Sequence, residues 1–222
     1  MNNNMIAEKR FMWLLIALSC MLVVVSLAGC GASSPSPSET TDTFLKGIQT
    51  GDDEMVNSVY APGDFKISDA MESEGDDTGA FDENEEMYKA LAGKMREFEY
   101  ELSDEQIKGD KATVTVKIRT YPLGSVMTDF ISDYMSQALV LAFSDTSEEK
   151  LEKLATTIFT EKMNALSDKS YQKDTTLTLT KENDVWKIDD ISKNDEFIDA
   201  LSGNLISAME PLEEAFSEDK DE

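Results

Sequence analysis

The sequence predicts an α+β domain in which about four antiparallel strands pack on helices, with a helical insertion between the strand pairs. Three observations carry this. Apolar residues recur at helical spacing over 41–60 and 83–95; they alternate with polar ones over 97–119 and again over 177–188; and the segment 124–167 between the alternating stretches returns to helical period. With 222 residues, 41% of them hydrophobic and 29% charged, a globular domain with a sizeable core is expected rather than a disordered chain.

The first 29 residues belong to a leader. Lys9-Arg10 precede an uncharged apolar run from Phe11 to Gly29, which ends on Leu27-Ala28-Gly29-Cys30. A basic start, an apolar stretch and small residues at its end describe a secretory signal peptide, and a membrane anchor of about 20 residues is the competing reading. The tetrad resembles the lipobox of bacterial lipoproteins. That resemblance implies cleavage after Gly29 and attachment of diacylglycerol to the Cys30 thiol, giving the multi-chain anchor that stable membrane attachment needs. Cys20, the other cysteine, leaves with the leader, so the mature chain has no disulfide. Gly31-Ala32 rather than Asp after Cys30 do not resemble an inner-membrane retention signal. The outer leaflet of a Gram-positive membrane is the expected site.

Residues 30–40 then read as a lipidated Cys and a flexible Ser/Pro spacer, followed by one exported domain over 41–217 and an acidic tail over 218–222. Phe44, Leu45 and Ile48 share a helical face, Thr50-Gly51 is a stop, and Met55, Val56, Val59 and Tyr60 continue the apolar face on a second short helix. Residues 69–83 are acidic and aperiodic, a loop; its "DDTGAFDENEE" lacks the ligand spacing of a calcium-binding EF-hand. Asp82 is the expected N-cap of a third helix, with Glu85 at N3 and Met87, Tyr88, Leu91 and Met95 inward.

Phe98, Tyr100 and Leu102 alternate with glutamates and Val114, Val116 and Ile118 with Thr, Lys and Arg, around a "KGDK" turn at 108–111. This is a hairpin with one wet face, and its opposed acids and bases are placed to pair across strands. Leu177 and Leu179, a turn at 182–184, and Trp186 and Ile188 form a second hairpin. In the insertion, Val126, Phe130, Ile131, Tyr134, Ala138 and Leu141 make one inward face. Thr146 with Glu149 caps a following helix with Leu151, Leu154, Ile158, Phe159 and Leu166 inward. A last helix over 195–216 carries Phe197, Leu201, Leu205, Met209 and Leu212.

The quoted stretches "FLKGIQTGDDEMVNSVY" (44–60) and "DVWKID" (184–189), in this element order, resemble nuclear transport factor 2-like domains, in particular domains of unknown function in Gram-positive lipoproteins. The resemblance implies a curved sheet closing a cystatin-like cone against helices, with the insertion and the last helix as additions over its mouth. Its pocket would be lined by Phe98, Tyr100, Tyr171 and Trp186, unless these are simply core.

Composition excludes much of the functional range. A net charge of −25 repels polyanions, so nucleic acid is not a partner. Histidine is absent, which removes Ser-His-Asp and Cys-His catalysis and His-ligated metals. No cofactor or metal motif and no catalytic residue is identified. The expected function is a non-enzymatic module that binds a small ligand or an envelope protein. Relatives of the resembled fold suggest one alternative, an enzyme using an Asp with Tyr100, Tyr121 or Tyr171 as an acid-base pair. The other is a structural or signalling component, which an exposed apolar patch on 124–167 would favour.

Overall fold

The structure, a computed structural model, describes residues 34–66, 84–143 and 147–217, the last of these with side chains as far as residue 211. The leader, Cys30, the whole 69–83 loop with Asp82, the acidic tail, Thr146 and the side chain of Leu212 lie outside the described residues. Pro35–Glu222 forms one compact unit.

Helix α1, Pro37–Thr50, begins inside the stretch expected to be spacer. The reason is local. Ser36 accepts from Glu39 N–H at 3.2 Å, Glu39 reaches back to Ser36 N–H at 2.8 Å, and Pro37 stands at the first helical position, where its missing N–H costs nothing. Ser and Pro here start a helix instead of preventing one. The helix stops at Gly51, whose φ of 70° is left-handed, and Asp52 caps α2, Asp53–Val59, by accepting from Met55 N–H at 2.9 Å. Helix α3, Glu85–Arg96, is capped by Asn84 rather than Asp82.

Strands β1 (Glu99–Lys108), β2 (Lys111–Thr120), β3 (Tyr171–Glu182) and β4 (Val185–Ile188) form an open antiparallel sheet in sequential order. Both hairpins are joined where expected, by Gly109-Asp110 and by Asn183-Asp184, the latter two at φ 50° and 66°. Alternation holds through β2: Ala112, Val114, Val116, Ile118 and Thr120 are buried while Lys111 and Arg119 are exposed. Glu99 stands opposite Arg119 and Glu101 opposite Lys117, and both pairs form ion pairs. Only β1 breaks pattern. An irregularity between Ser103 and Gln106, with Asp104 at φ 49°, turns the rest of that strand outward and exposes Ile107.

The helical insertion is present as α4 (Leu123–Ala142) and α5 (Glu148–Ala165); α5 starts at Ser147, which makes no side-chain cap. The expected single last helix is instead two, α6 (Asp195–Leu201) and α7 (Leu205–Ser217). Gly203 and Asn204, at φ 63° and 67°, break it. A Cβ on Gly203 would lie 2.0 Å from the Tyr121 carbonyl oxygen, so only glycine permits this approach to the start of α4.

These elements build two cores. Phe44, Leu45, Ile48 and Val56 from α1–α2 and Phe197 from α6 cover the inner sheet face of Val114, Val116, Ile118, Leu177, Leu179, Trp186 and Ile188. Met87, Tyr121, Leu123, Met127, Phe130, Ile158, Phe159 and Met163 form the second, among α3, α4, α5 and α7. Leu123, Met127 and Met163 join the predicted inward residues because the insertion is packed on several sides at its root.

Candidate functional site

The four aromatics expected to line a pocket are dispersed. Phe98 and Trp186 are buried in the sheet core and Tyr100 packs against it. Trp186 also has the Lys181 ammonium 5.7 Å from its ring centre. Tyr171 is half-buried at the far end of β3, paired with Thr120. A groove of about 450 Å³ lies elsewhere, bounded by Leu177 and Thr178 of β3, the turn Asp189–Ile191, and Lys193–Glu196. None of the four lines it.

That groove is acidic because the turn after β4 and the first turn of α6 both carry carboxylates. Asp189 accepts from Thr180 Oγ1 at 2.5 Å and pairs with Lys111 at 3.7 Å; Asn194 caps α6 by accepting from Phe197 N–H at 3.1 Å. Asp190 accepts from Ser192 N–H and from the Tyr60 hydroxyl, both at 3.0 Å. The bonds from Ser192 and Phe197 N–H close local turns, whereas Tyr60, Lys111 and Thr180 tie Asp190 and Asp189 to other elements. Among the described residues, no group of acidic side chains or cysteine is arranged to hold a metal ion.

Three tyrosines meet carboxylates: Tyr60 with Asp190, Tyr100 with Asp42 at 2.7 Å, and Tyr121 with Glu97 at 2.8 Å. Burial, offset in part by the Ile191 N–H and reinforced by Asp190, pushes the Tyr60 hydroxyl up to about 12. Burial and Asp42 likewise raise Tyr100, and the bond to Glu97 raises Tyr121. On the acid side, the Ser192 N–H holds Asp190 below the usual carboxylate range. Burial works against ionised Asp42, but Lys46 and Tyr100 outweigh it and lower that group too. For Tyr60–Asp190 and Tyr100–Asp42 the result is a protonated phenol on an ionised carboxylate, each moved away from neutral pH, whereas acid-base chemistry works best with groups near it.

Asp199 of α6 is 3% exposed, the one buried carboxylate among the described residues, and no local pattern singles it out. It pairs with Lys173 at 3.4 Å and accepts from Ser207 N–H and Ser207 Oγ, both at 3.1 Å. Asp199 therefore ties β3 to α6 and caps α7. Neither Lys173 nor Ser207 lines the groove.

The remaining unusual surface is on α4. Met135, Leu139, Val140 and Phe143 are 60%, 63%, 70% and 88% exposed. Residues 138–143, "ALVLAF", are apolar without interruption. A helix packed on one side cannot turn six consecutive residues inward, so part of the run must face outward. No described helix is long and apolar enough to cross a membrane.

No curated protein matches the chain. Among solved structures, a candidate lipoprotein (ycdA) from Bacillus subtilis is similar at 16% identity and a TM-score of 0.41, over 56% of this chain and 38% of that one. The chain therefore spans well under half the length of that protein. A family model described as a domain of unknown function (DUF5105) matches residues 63–203. That match takes in α3, the whole sheet, the insertion and α6, more than half of the chain, and on it the protein belongs to the DUF5105 family.

Proposed function

We propose that the chain is an exported lipoprotein, anchored through Cys30 on the extracytoplasmic face of a Gram-positive cell membrane, and that its domain is a non-enzymatic module binding another envelope protein. The Leu27-Ala28-Gly29-Cys30 tetrad behind the apolar run supports the anchor. The order of helices and the four-strand antiparallel sheet are consistent with a nuclear transport factor 2-like cone, here with its aromatics used as core rather than as pocket lining.

One observation carries the binding reading: the solvent-facing apolar side of α4, an unusual expense for a monomeric surface and a common mark of a protein contact. The tyrosine-carboxylate pairs support binding over catalysis, because neither partner is poised to exchange a proton near neutral pH. A photoreactive residue at position 139 of the full chain, in living cells, tests it. A discrete protein adduct from position 139 but not from exposed Glu105 is expected; equal labelling at both positions would sink the reading. For the anchor, Cys30→Ser is expected to release the exported chain from the membrane fraction, and continued retention would overturn it.

A further inference from the structure

We infer that the exposed end of α4 docks a cationic amphipathic helix of its partner. This rests on the binding-module reading and names the class of partner. On a helix turning 100° per residue, Met135, Leu139 and Phe143 lie within about 80° of one another, and Val140 widens the stripe. The opposite side is occupied: Phe130 stacks on Tyr134 and meets Phe159 edge-on at 5.3 Å. Met135 to Phe143 spans about 12 Å at 1.5 Å per residue, room for the anchors that a docked helix spaces at i, i+4 and i+7.

Charge selects the occupant. Helix α4 contains no Lys or Arg; its charges are Asp129 and Asp133, the latter paired with Lys162 at 2.6 Å. Its last turn has no basic residue to offset the negative end of the helix dipole, and the next helix, α5, opens on exposed Glu148 and Glu149, followed by a single exposed Lys150. A helix that lies on a lipid surface carries Lys and Arg on its polar side, and this one does not.

A second copy fits no better. Antiparallel pairing centred on Leu139 sets Phe143 against the other copy's Met135 and brings no α4 Lys or Arg to either copy's Asp129. Parallel pairing sets two negative helix ends side by side. A helix with an apolar stripe flanked by Lys or Arg satisfies both the stripe and the acidic rim, and steering by a chain of charge −25 favours its approach.

The test uses the full chain in nanodiscs of zwitterionic lipid and two labelled 18-residue amphipathic peptides, identical in their Leu stripe and flanked by Lys in one and Glu in the other. Anisotropy is expected to show the Lys peptide binding at least tenfold tighter, with affinity falling as salt rises. Leu139→Asp should weaken it at least tenfold, and Ile107→Ser, an exposed apolar residue on β1, should not. The double variant Glu148→Lys/Glu149→Lys, which leaves the stripe intact, should shift preference toward the Glu peptide.

Equal binding of both peptides, or binding indifferent to Leu139→Asp, would overturn the inference. So would a dimer by sedimentation that Leu139→Asp dissolves, or binding to protein-free zwitterionic vesicles that the same variant abolishes. A protein adduct at position 139 in cells with neither peptide binding would remove the cationic helix and leave the module reading standing. Lys-peptide binding with equal labelling at 139 and 105 would do the reverse.

Discussion

The sheet-side and insertion-side cores differ in how completely they are closed. Beneath the sheet, 17 buried residues are accompanied by six half-buried ones; in the helical lobe the proportion inverts, eight buried to eleven half-buried, among the described residues. Two geometries explain the contrast. A sheet offers a continuous apolar face that α1, α2 and α6 can cover, with Phe44 at its centre within 6.3 Å of Tyr60, Phe65 and Phe197 rings. Helices α4 and α5 meet their neighbours along single stripes, so much of each side chain stays at the rim. Stability concentrates where burial is complete, and binding surfaces are drawn from the less stable end of a structure.

The comparison can be broken most directly at Phe44. Phe44→Ala is expected to cost about 3–5 kcal/mol and to lower the urea midpoint of the whole unit. A cost under about 1 kcal/mol would show that the sheet core is not the stronger one. Phe159→Ala, in the other core, should cost about 3 kcal/mol and speed hydrogen exchange in α4 and α5 while β2 and β3 amides keep their protection. Simultaneous loss in both regions would make the cores one cooperative unit.

Asp199→Ala should cost about 2 kcal/mol, because it strands the Ser207 N–H and removes Lys173's partner at the joint between the two regions; Asp199→Asn should recover part of it in thermal melts. Tyr60 supplies a pH-dependent test of the sheet side. Its folded-state value is raised, so its contribution is fully present below pH 10 and is lost as pH rises through about 12. Absorbance at 295 nm should show that late step, and Tyr60→Phe should delete it. The smallest effect belongs to the wet sheet face: Glu99→Gln, on an exposed pair with Arg119, should leave the urea midpoint unchanged, because solvent screens the pair. Leu139→Asp should be equally mild for folding, which separates its effect on binding from any effect on stability.

Patterns that depend on neighbours in the chain were readable in advance. Alternation located Val114, Val116 and Ile118, and Glu182-Asn183-Asp184 marked a turn, of which Asn183-Asp184 form the loop and Glu182 ends β3. Ser36 and Pro37 were misread because their composition suggests a spacer, while their spacing to Glu39 is a capping box. The break at Gly203 was hidden because it is imposed by the Tyr121 backbone, distant in sequence. Asp199 escaped for the same reason, as its partners Lys173 and Ser207 come from other elements. The "ALVLAF" run did carry its signal: six apolar residues in a row exceed what one packed helix side accepts. The site aromatics could not be placed, since period two says which face a residue takes but not whether a cavity opens there.

Helix α4 is also a lever. At its root, Gly124 N–H donates to the Gly203 carbonyl at 3.0 Å, and a Cβ on Gly124 would lie 2.2 Å from the Asn204 oxygen. Its apolar tip at Phe143 is about 30 Å away at 1.5 Å per residue. A load on the tip is resisted at a fulcrum formed by the α6–α7 joint, four residues from Asp199. Because α5 also holds the helix, through Asp133–Lys162 at 2.6 Å and Phe130 against Phe159, only part of such a load reaches this joint, where among the described residues the buried Asp199 carboxylate meets Lys173 of the sheet.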